Sequence, residues 1–195
     1  MWVFGHLGIG SKLAAPFSRK LPLKWVFIGT ILPDLIDKPL YFAAAAMTGR
    51  RGLEIGLISC TRTLAHTAIF LFVLSLVATF RKSIVFAALT IGVATHLVLD
   101  GFQDYWLIDV MALGGESSLR LAALFPFYEP RFADYPFASI GEHLMSATRT
   151  VTLGAEIVGV AILGWDYWKK KWKFKQLLRI GLPWRKPRAA RSSDE

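Results

Sequence analysis

The chain has 195 residues, of which 54% are hydrophobic and 19% are Asp, Glu, Lys or Arg, and its mean hydropathy is +0.44. Ordinary soluble domains contain about 25% charged residues, so this composition excludes a normally hydrated surface as well as a disordered chain. The single cysteine, Cys60, excludes an intrachain disulfide and a metal cage built from thiolates. The composition therefore predicts a membrane protein, with the lipid bilayer as its surroundings.

Charge is distributed unevenly along the chain. Residues 1–168 carry 13 basic and 12 acidic side chains, whereas residues 169–195 carry 10 basic and 2 acidic ones. The chain is therefore divided into a membrane-embedded helical domain, residues 1–168, and a basic, partly amphipathic tail, residues 169–195. Because the tail directly follows an apolar stretch, we expect it to contact anionic lipid head groups, and no nucleic acid is expected as a partner.

Apolar stretches predict an all-α fold, an integral membrane helical bundle with three or four transmembrane helices. Residues 1–17 are apolar but lack the pattern of a signal peptide. Residues 25–47 contain two prolines and two carboxylates, which predicts a broken span or a segment lying within the bundle. Residues 64–80 and 83–99 predict a helical hairpin, and residues 151–168 a last span. An interfacial aromatic belt is predicted there from Trp165, Tyr167, Trp168 and Trp172.

The distribution of Lys and Arg predicts the orientation of these spans. The C-terminal tail and the Arg81-Lys82 turn of the hairpin are expected in the cytoplasm. With four spans the N-terminus is expected there too. His66, near the start of one hairpin helix, and His96, near the end of the other, then lie at similar depth on the opposite side.

Ionisable residues within the apolar stretches are expected to meet. His96 and Asp100 are four residues apart and share a helix face, and Asp34 and Asp37 share one if the backbone there is helical. Neutral imidazole and carboxylate are the ligands that divalent metals use where no thiolate is present. A buried cation would also supply the counter-charge that carboxylates need in an apolar chain. The pattern predicts a divalent metal site that includes His66.

Each of these residues also has a plainer interpretation. His96 and Asp100 would suit a hydrogen-bonded helix end, and His66 a packed core residue. Asp34 would suit a helix cap with Asp37 in the first turn.

Four further ionisable residues are interpreted separately. Asp104 is expected to be a solvated charge at a helix end. Glu156 is either a site residue or a paired helix residue. Glu142 and His143 are expected at the surface.

Four motifs carry a resemblance to a known family. They are Gly5-His6-Leu7, Gly29-Thr-Ile-Leu-Pro-Asp34-Leu-Ile-Asp37, Arg62-Thr-Leu-Ala-His66-Thr67 and Gly92-Val-Ala-Thr-His96-Leu-Val-Leu-Asp100. Over roughly residues 1–127 the chain resembles the YdjM-like group of membrane-bound predicted metal-dependent hydrolases. This resemblance implies a multi-pass protein of the bacterial inner (cytoplasmic) membrane.

The order His, Asp, His, His-x-x-x-Asp is also similar to that of the zinc-dependent phospholipase C and nuclease families, all-helical enzymes that cut phosphoesters. This similarity implies zinc as the favoured metal. Its implied ligands for one ion are Asp34, His66, His96 and Asp100. His6 would bind a neighbouring ion, with Asp100 bridging the two. Beyond Asp100 few further ligand candidates remain, so a complete three-metal cluster is not implied.

The function expected from these residues is a membrane-bound metal-dependent hydrolase that cleaves a phosphoester of a phospholipid-like substrate. A bound metal lowers the pKa of its water toward ~7 and neutralises charge on a phosphoryl oxygen. A carboxylate such as Asp34 or Asp37 would orient the water or take its proton, and Arg62, expected one helical turn before His66, would hold a phosphate oxygen. The alternative is a non-catalytic membrane protein whose buried polar cluster is structural or ion-conducting.

Overall fold

The computed structural model describes residues 3–111, 117–135, 137, 140–145 and 149–170. Every regular element among these residues is a helix, which confirms the all-α prediction. The predicted tail lies outside the described residues from position 171 onward, and its separation as a unit stays a prediction.

In chain order the α-helices are α1 (Val3–Ser18), α2 (Leu23–Thr48), α3 (Ala68–Phe80), α4 (Ile84–Tyr105), α5 (Ser118–Ala123), α6 (Ile140–Met145) and α7 (Arg149–Lys170). A π-helical turn, Trp106–Val110, extends α4, and 3₁₀ turns form at Gly52–Ile55 and Leu64–His66. The Thr67 side chain accepts a hydrogen bond from the Phe70 N–H and so caps the start of α3. Residues 64–67, predicted within the hairpin helix, therefore precede it.

The second helix packs against α4 along a crossing of small residues. A Cβ added to Gly29 would overlap the backbone of Leu89, and one added to Gly92 would overlap the carbonyl group of Val26. Small residues at such a crossing let two backbones touch. This packing accompanies a continuous α2, so residues 25–47 are not a broken span even though Pro33 lies inside the helix.

The first helix runs parallel to α7. The N–H groups of Phe4 and Gly5 both donate to the Glu156 carboxylate at 2.9 Å, and Lys12 pairs with Asp166 at 2.5 Å. Glu156 is thus a paired helix residue, because a carboxylate satisfies the free N–H groups at a helix start.

The bundle has two distinct ends. Leu21, just after α1, lines the same groove as Lys82, so the α1–α2 and α3–α4 turns lie side by side at what we name the basic end. The start of α1 is at the opposite end, beside Glu156 in the first half of α7. The expectation that the N-terminus and the Arg81-Lys82 turn share one end is therefore wrong. Its cause is that residues 3–18 form a helix of their own, held by Glu156.

The outer surface of the bundle is apolar. Every residue of α3 is at least partly exposed, with Phe72 61% and Phe80 78% exposed. One helix of the described chain, Ile84–Val110, is long and apolar enough to cross a membrane, and Ala68–Phe80 is a shorter apolar helix. Large apolar side chains are normally buried in soluble proteins, so this surface is the reverse of the usual arrangement.

Candidate metal centre

Two imidazoles and two carboxylates converge inside the bundle. The Nε2 atoms of His66 and His96 lie 3.1 Å apart. Asp100 Oδ2 is 3.6 Å from the first and 3.5 Å from the second, and Asp34 Oδ1 is 3.8 Å from His66 Nε2. These groups come from α2, from the 3₁₀ turn before α3 and from α4. The convergence of Asp34, His66, His96 and Asp100 expected from the sequence is present.

In the rings of His66 and His96 the Nδ1 atoms, opposite the facing Nε2 atoms, form hydrogen bonds that fix the tautomer. His66 Nδ1 lies 2.7 Å from the Asp37 carboxylate, and His96 Nδ1 lies 2.8 Å from the carbonyl oxygen of Thr30. Both partners accept hydrogen bonds, so each Nδ1 carries the proton. In the neutral rings the two Nε2 lone pairs therefore face each other, with carboxylate oxygens beside them. Such an arrangement requires a cation or a shared proton between the rings.

Asp37 holds the backbone that presents His66. Its carboxylate accepts hydrogen bonds from Thr63 N at 2.7 Å and from Ala65 N at 3.1 Å, in addition to the ring of His66. The side chain is fully buried. Both carboxylate oxygens of Asp37 thus hold the turn that carries His66. The predicted role of Asp37 with a water molecule stays a prediction.

Arg62 contacts two carboxylates. One belongs to Asp100, a candidate metal ligand, and the other to Asp104, which the sequence predicts to be solvated. The Arg62 Nε lies 3.0 Å from Asp100 Oδ2, and its Nη1 donates to Asp104 Oδ1 at 2.7 Å. Asp104 is only 8% exposed and also accepts from Ser117 Oγ and Leu119 N. The expectation of a solvated Asp104 is therefore wrong, because α5 covers the end of α4.

Arg62 reaches the site from a bend and not from a helix. Segment 61–63 is non-helical, so the predicted spacing of one helical turn between Arg62 and His66 is wrong, since α3 begins only at Ala68. Burial by itself lowers the pKa of Arg62, but the neighbouring carboxylates of Asp100 and Asp104 outweigh it and raise the pKa above its usual value. The guanidinium therefore stays charged. Its predicted contact with a phosphate stays a prediction.

His6 belongs to a second group of potential metal ligands. Its ring stacks on His96, with the ring centroids 3.9 Å apart, and its Nε2 lies 3.3 Å from Asp100 Oδ1. The residue is fully buried, yet neither ring nitrogen is in hydrogen-bonding geometry with any described residue. A buried polar atom of this kind is costly unless something binds it.

Two overlapping sets of side chains could hold a metal ion. One set is His6, His96 and Asp100, and the other is Asp34, His66 and His96. Asp100 offers one oxygen to each side. The prediction of a metal-binding His/Asp group therefore agrees with the described residues.

Lys38 lies at the exposed side of the site and was missed in the sequence analysis. Its Nζ is 2.6 Å from Asp34 Oδ2, and its side chain is 35% exposed, compared with 14% for Asp34. The four-residue spacing on a helix could have indicated this pair. Among the other candidates, Glu142 is exposed, and the side chain of His143 lies outside the described part.

Cys60 lies close to the site in sequence but contributes no thiolate. Burial raises the pKa of its thiol to about 11, so the group stays protonated at neutral pH. The thiol contacts the carbonyl oxygen of Arg62 at 3.1 Å. The donor set of the described site is therefore imidazole and carboxylate.

No family model, no curated protein and no solved structure matches the chain. The resemblance to the membrane-bound hydrolase group consequently stays a prediction.

Proposed function

We propose that the chain is a multi-pass protein of the bacterial inner membrane and a metal-dependent hydrolase that cleaves a phosphoester of a lipid-like substrate. The observation that carries this proposal is the pair of opposed Nε2 atoms of His66 and His96, 3.1 Å apart, with Asp34 and Asp100 beside them. These are ligand types found in hydrolytic metal centres.

Zinc fits the spacing of these donors. Ligand atoms at 2.0–2.2 Å from a tetrahedral zinc ion lie about 3.3 Å from one another. The donor separations given above run from 3.1 to 3.8 Å. The hydrogen bonds to Asp37 and Thr30 are the outer contacts that metal-binding imidazoles usually have. A bound ion would lower the pKa of a water molecule and polarise a phosphoryl oxygen.

Other side chains at the site have separate roles. Asp37 orients His66, and Arg62 holds Asp100 in place. Asp34 is the more exposed of the two α2 carboxylates, so a water molecule entering the site would meet it before Asp37; its Oδ1 faces the rings and its Oδ2 faces the Lys38 ammonium group.

Lys38 favours an anionic substrate. Its ammonium group lies at the exposed side of Asp34, so a negatively charged group approaching the site would meet it first. Leu35 and Leu64, close to the site in the chain, are exposed apolar residues. An anionic group bordered by apolar surface corresponds to the head of an amphiphile, such as a phospholipid-like phosphoester.

Embedding in a membrane accounts for the apolar outer surface. Exposed large apolar residues occur on all the longer helices, for example Phe17 on α1, Leu35 on α2, Phe72 on α3, Val98 on α4 and Ile157 on α7. Basic residues gather in the turns at the basic end, toward which α7 also runs, and this distribution supports a cytoplasmic position for that end and for the C-terminus. The metal centre then opens toward the other side.

The experiment that tests this proposal is a hydrolysis assay on the purified full chain in detergent micelles. Release of phosphate or of the free alcohol is followed for a panel of phospholipids and simple phosphoesters, with zinc, with a chelator and after zinc is restored. We expect zinc-dependent hydrolysis that His66→Ala abolishes and that Asp109→Asn, at an exposed position, leaves intact. Hydrolysis by His66→Ala at the wild-type rate would contradict the proposal.

A second candidate function rests on the same short contact. Two imidazole nitrogens 3.1 Å apart can also share a proton, and a chain of buried groups runs from Asp37 through His66 and His96. A non-catalytic protein that stores or conducts a proton through this cluster would use no metal. Metal content of the purified chain distinguishes the two candidates: the hydrolase would retain a metal ion, and the proton-conducting protein would not.

A further inference from the structure

An open groove lies at the basic end, remote from the metal centre. Its volume is about 480 Å³, within the range of roughly 300–1,000 Å³ typical of ligand sites. Leu21, Ala78, Ile84 and Ala87 provide an apolar lining, and Lys82 in the α3–α4 turn adds a cation. The groove therefore combines an apolar surface with a positive charge.

The charge around this groove is of one sign. Its turns carry Arg19, Lys20, Arg81 and Lys82, and Lys24 lies at the start of α2. The sequence has no acidic residue between positions 7 and 33 or between 67 and 99. None of these five cations forms an ion pair within the described chain. Each is half-buried or exposed. An occupant with a negative charge would complement them.

Lys82 occupies an unusual backbone position for a lysine. Its φ is +48°, a left-handed conformation that glycine or asparagine usually adopts at a helix end. Asparagine can therefore replace Lys82 without straining the backbone. The Lys82→Asn variant thus removes the positive charge and keeps the conformation of the turn.

The chain's own tail is a poor occupant. Residues 169–195 carry 10 basic and 2 acidic side chains, so the cations around the groove would repel them. A phospholipid with an anionic head group offers both an acyl chain for the lining and a phosphate for Lys82. Because the basic end is proposed to face the cytoplasm, such lipids are within reach.

We infer that this groove is a binding site for one anionic phospholipid, which places an acyl chain along Leu21, Ala78, Ile84 and Ala87 and its phosphate against Lys82. This site is independent of the metal centre and of hydrolysis.

Photochemical crosslinking in vesicles tests the inference on the full chain. A benzophenone amino acid replaces Ala78, the vesicles contain equal amounts of phosphatidylglycerol and phosphatidylcholine, and mass spectrometry identifies the adducts. We expect phosphatidylglycerol adducts to exceed phosphatidylcholine adducts about fivefold or more, since each basic residue near an anionic lipid contributes about 1 kcal/mol. Lys82→Asn should lower this excess about fivefold.

The controls define the outcomes that would overturn the inference. The same probe at Phe72, on the apolar face of α3, should give both lipids equally, and Arg131→Asn, a cation outside the groove, should leave the excess at Ala78 unchanged. Equal labelling of the two lipids at Ala78 would overturn the inference, and so would an unchanged ratio in Lys82→Asn. Labelling of residues 171–195 or of a second copy of the chain would show a different occupant.

Discussion

The interior of the bundle and its outer face have opposite chemistry. Around the candidate metal centre, Asp37, His66 and His96 are completely buried, whereas on α3 large apolar side chains such as Phe72 are exposed. In a soluble protein the two sets would be exchanged. The polar groups thus lie where they can bind one another or a cation, and the proposed membrane location would place the apolar groups in lipid.

Close packing sets a second contrast between interior and surface. The crossing of α2 and α4 leaves no room for a Cβ at Gly92, whereas Gly164 on α7 has open space around it. Charge and packing in the interior should therefore be sensitive to substitution, and the outer face should not. The following changes test that contrast.

The largest loss of stability is expected from Arg62→Met. This change leaves Asp100 and Asp104 without their buried counter-charge, and breaking a buried ion pair costs about 3–5 kcal/mol. Thermal unfolding in detergent measures it. Arg62→Lys keeps the positive charge but cannot contact both carboxylates as the guanidinium does, so it should lose less stability than Arg62→Met. Equal unfolding temperatures for Arg62→Met and the wild type would contradict the assigned pairing.

A smaller loss is expected from Gly92→Ala. The added methyl group would overlap the Val26 carbonyl group, and overpacking of this kind costs about 1–3 kcal/mol. The matched control is Gly164→Ala, which should be neutral or slightly stabilising because alanine favours the helix. The contrast fails if both alanine variants unfold at the same temperature.

Asp37→Asn should weaken metal binding without removing a ligand. The amide cannot accept from three N–H groups as the carboxylate does, so His66 loses its fixed tautomer and orientation. Loss of such an outer contact typically lowers metal affinity 10–100-fold. Competition against a chelator measures the affinity, with Asp109→Asn as control. Wild-type affinity in Asp37→Asn would show that the hydrogen bond does not position the ring.

The smallest effect is expected from Phe72→Ala. The side chain is 61% exposed on the outer face, so its removal in detergent should change stability by less than about 0.5 kcal/mol. Val26→Ala, at a completely buried position, is the matched comparison and should cost about 1 kcal/mol or more. A larger loss for Phe72→Ala than for Val26→Ala would reverse the assignment of interior and outer face.

Helical spacing was enough to predict much of the convergence of side chains at the candidate metal centre. The four-residue interval between His96 and Asp100 rests on a regular helix, and the α3–α4 hairpin brings His66 to the same depth even though His66 itself lies in a 3₁₀ turn just before α3. Apolar composition likewise predicted an all-helical fold. These features depend on local periodicity, which a single sequence records directly.

Features that depend on contacts between distant segments could not be predicted in this way. The burial of Asp104 follows from Arg62 and α5, which approach it only in the folded chain. The direction of α1 is set by Glu156, more than 150 residues away. Arg62 reaches Asp100 from a bend whose shape depends on hydrogen bonds to Asp37.

Metal content, measured by elemental mass spectrometry on the purified full chain, tests most directly whether these distant groups share a cation. The wild-type chain, purified after growth with zinc, is compared with His66→Ala/His96→Ala. We predict at least one divalent ion per wild-type chain and almost none in the double variant. Equal metal content in the two proteins, whether both contain an ion or neither does, would contradict the account.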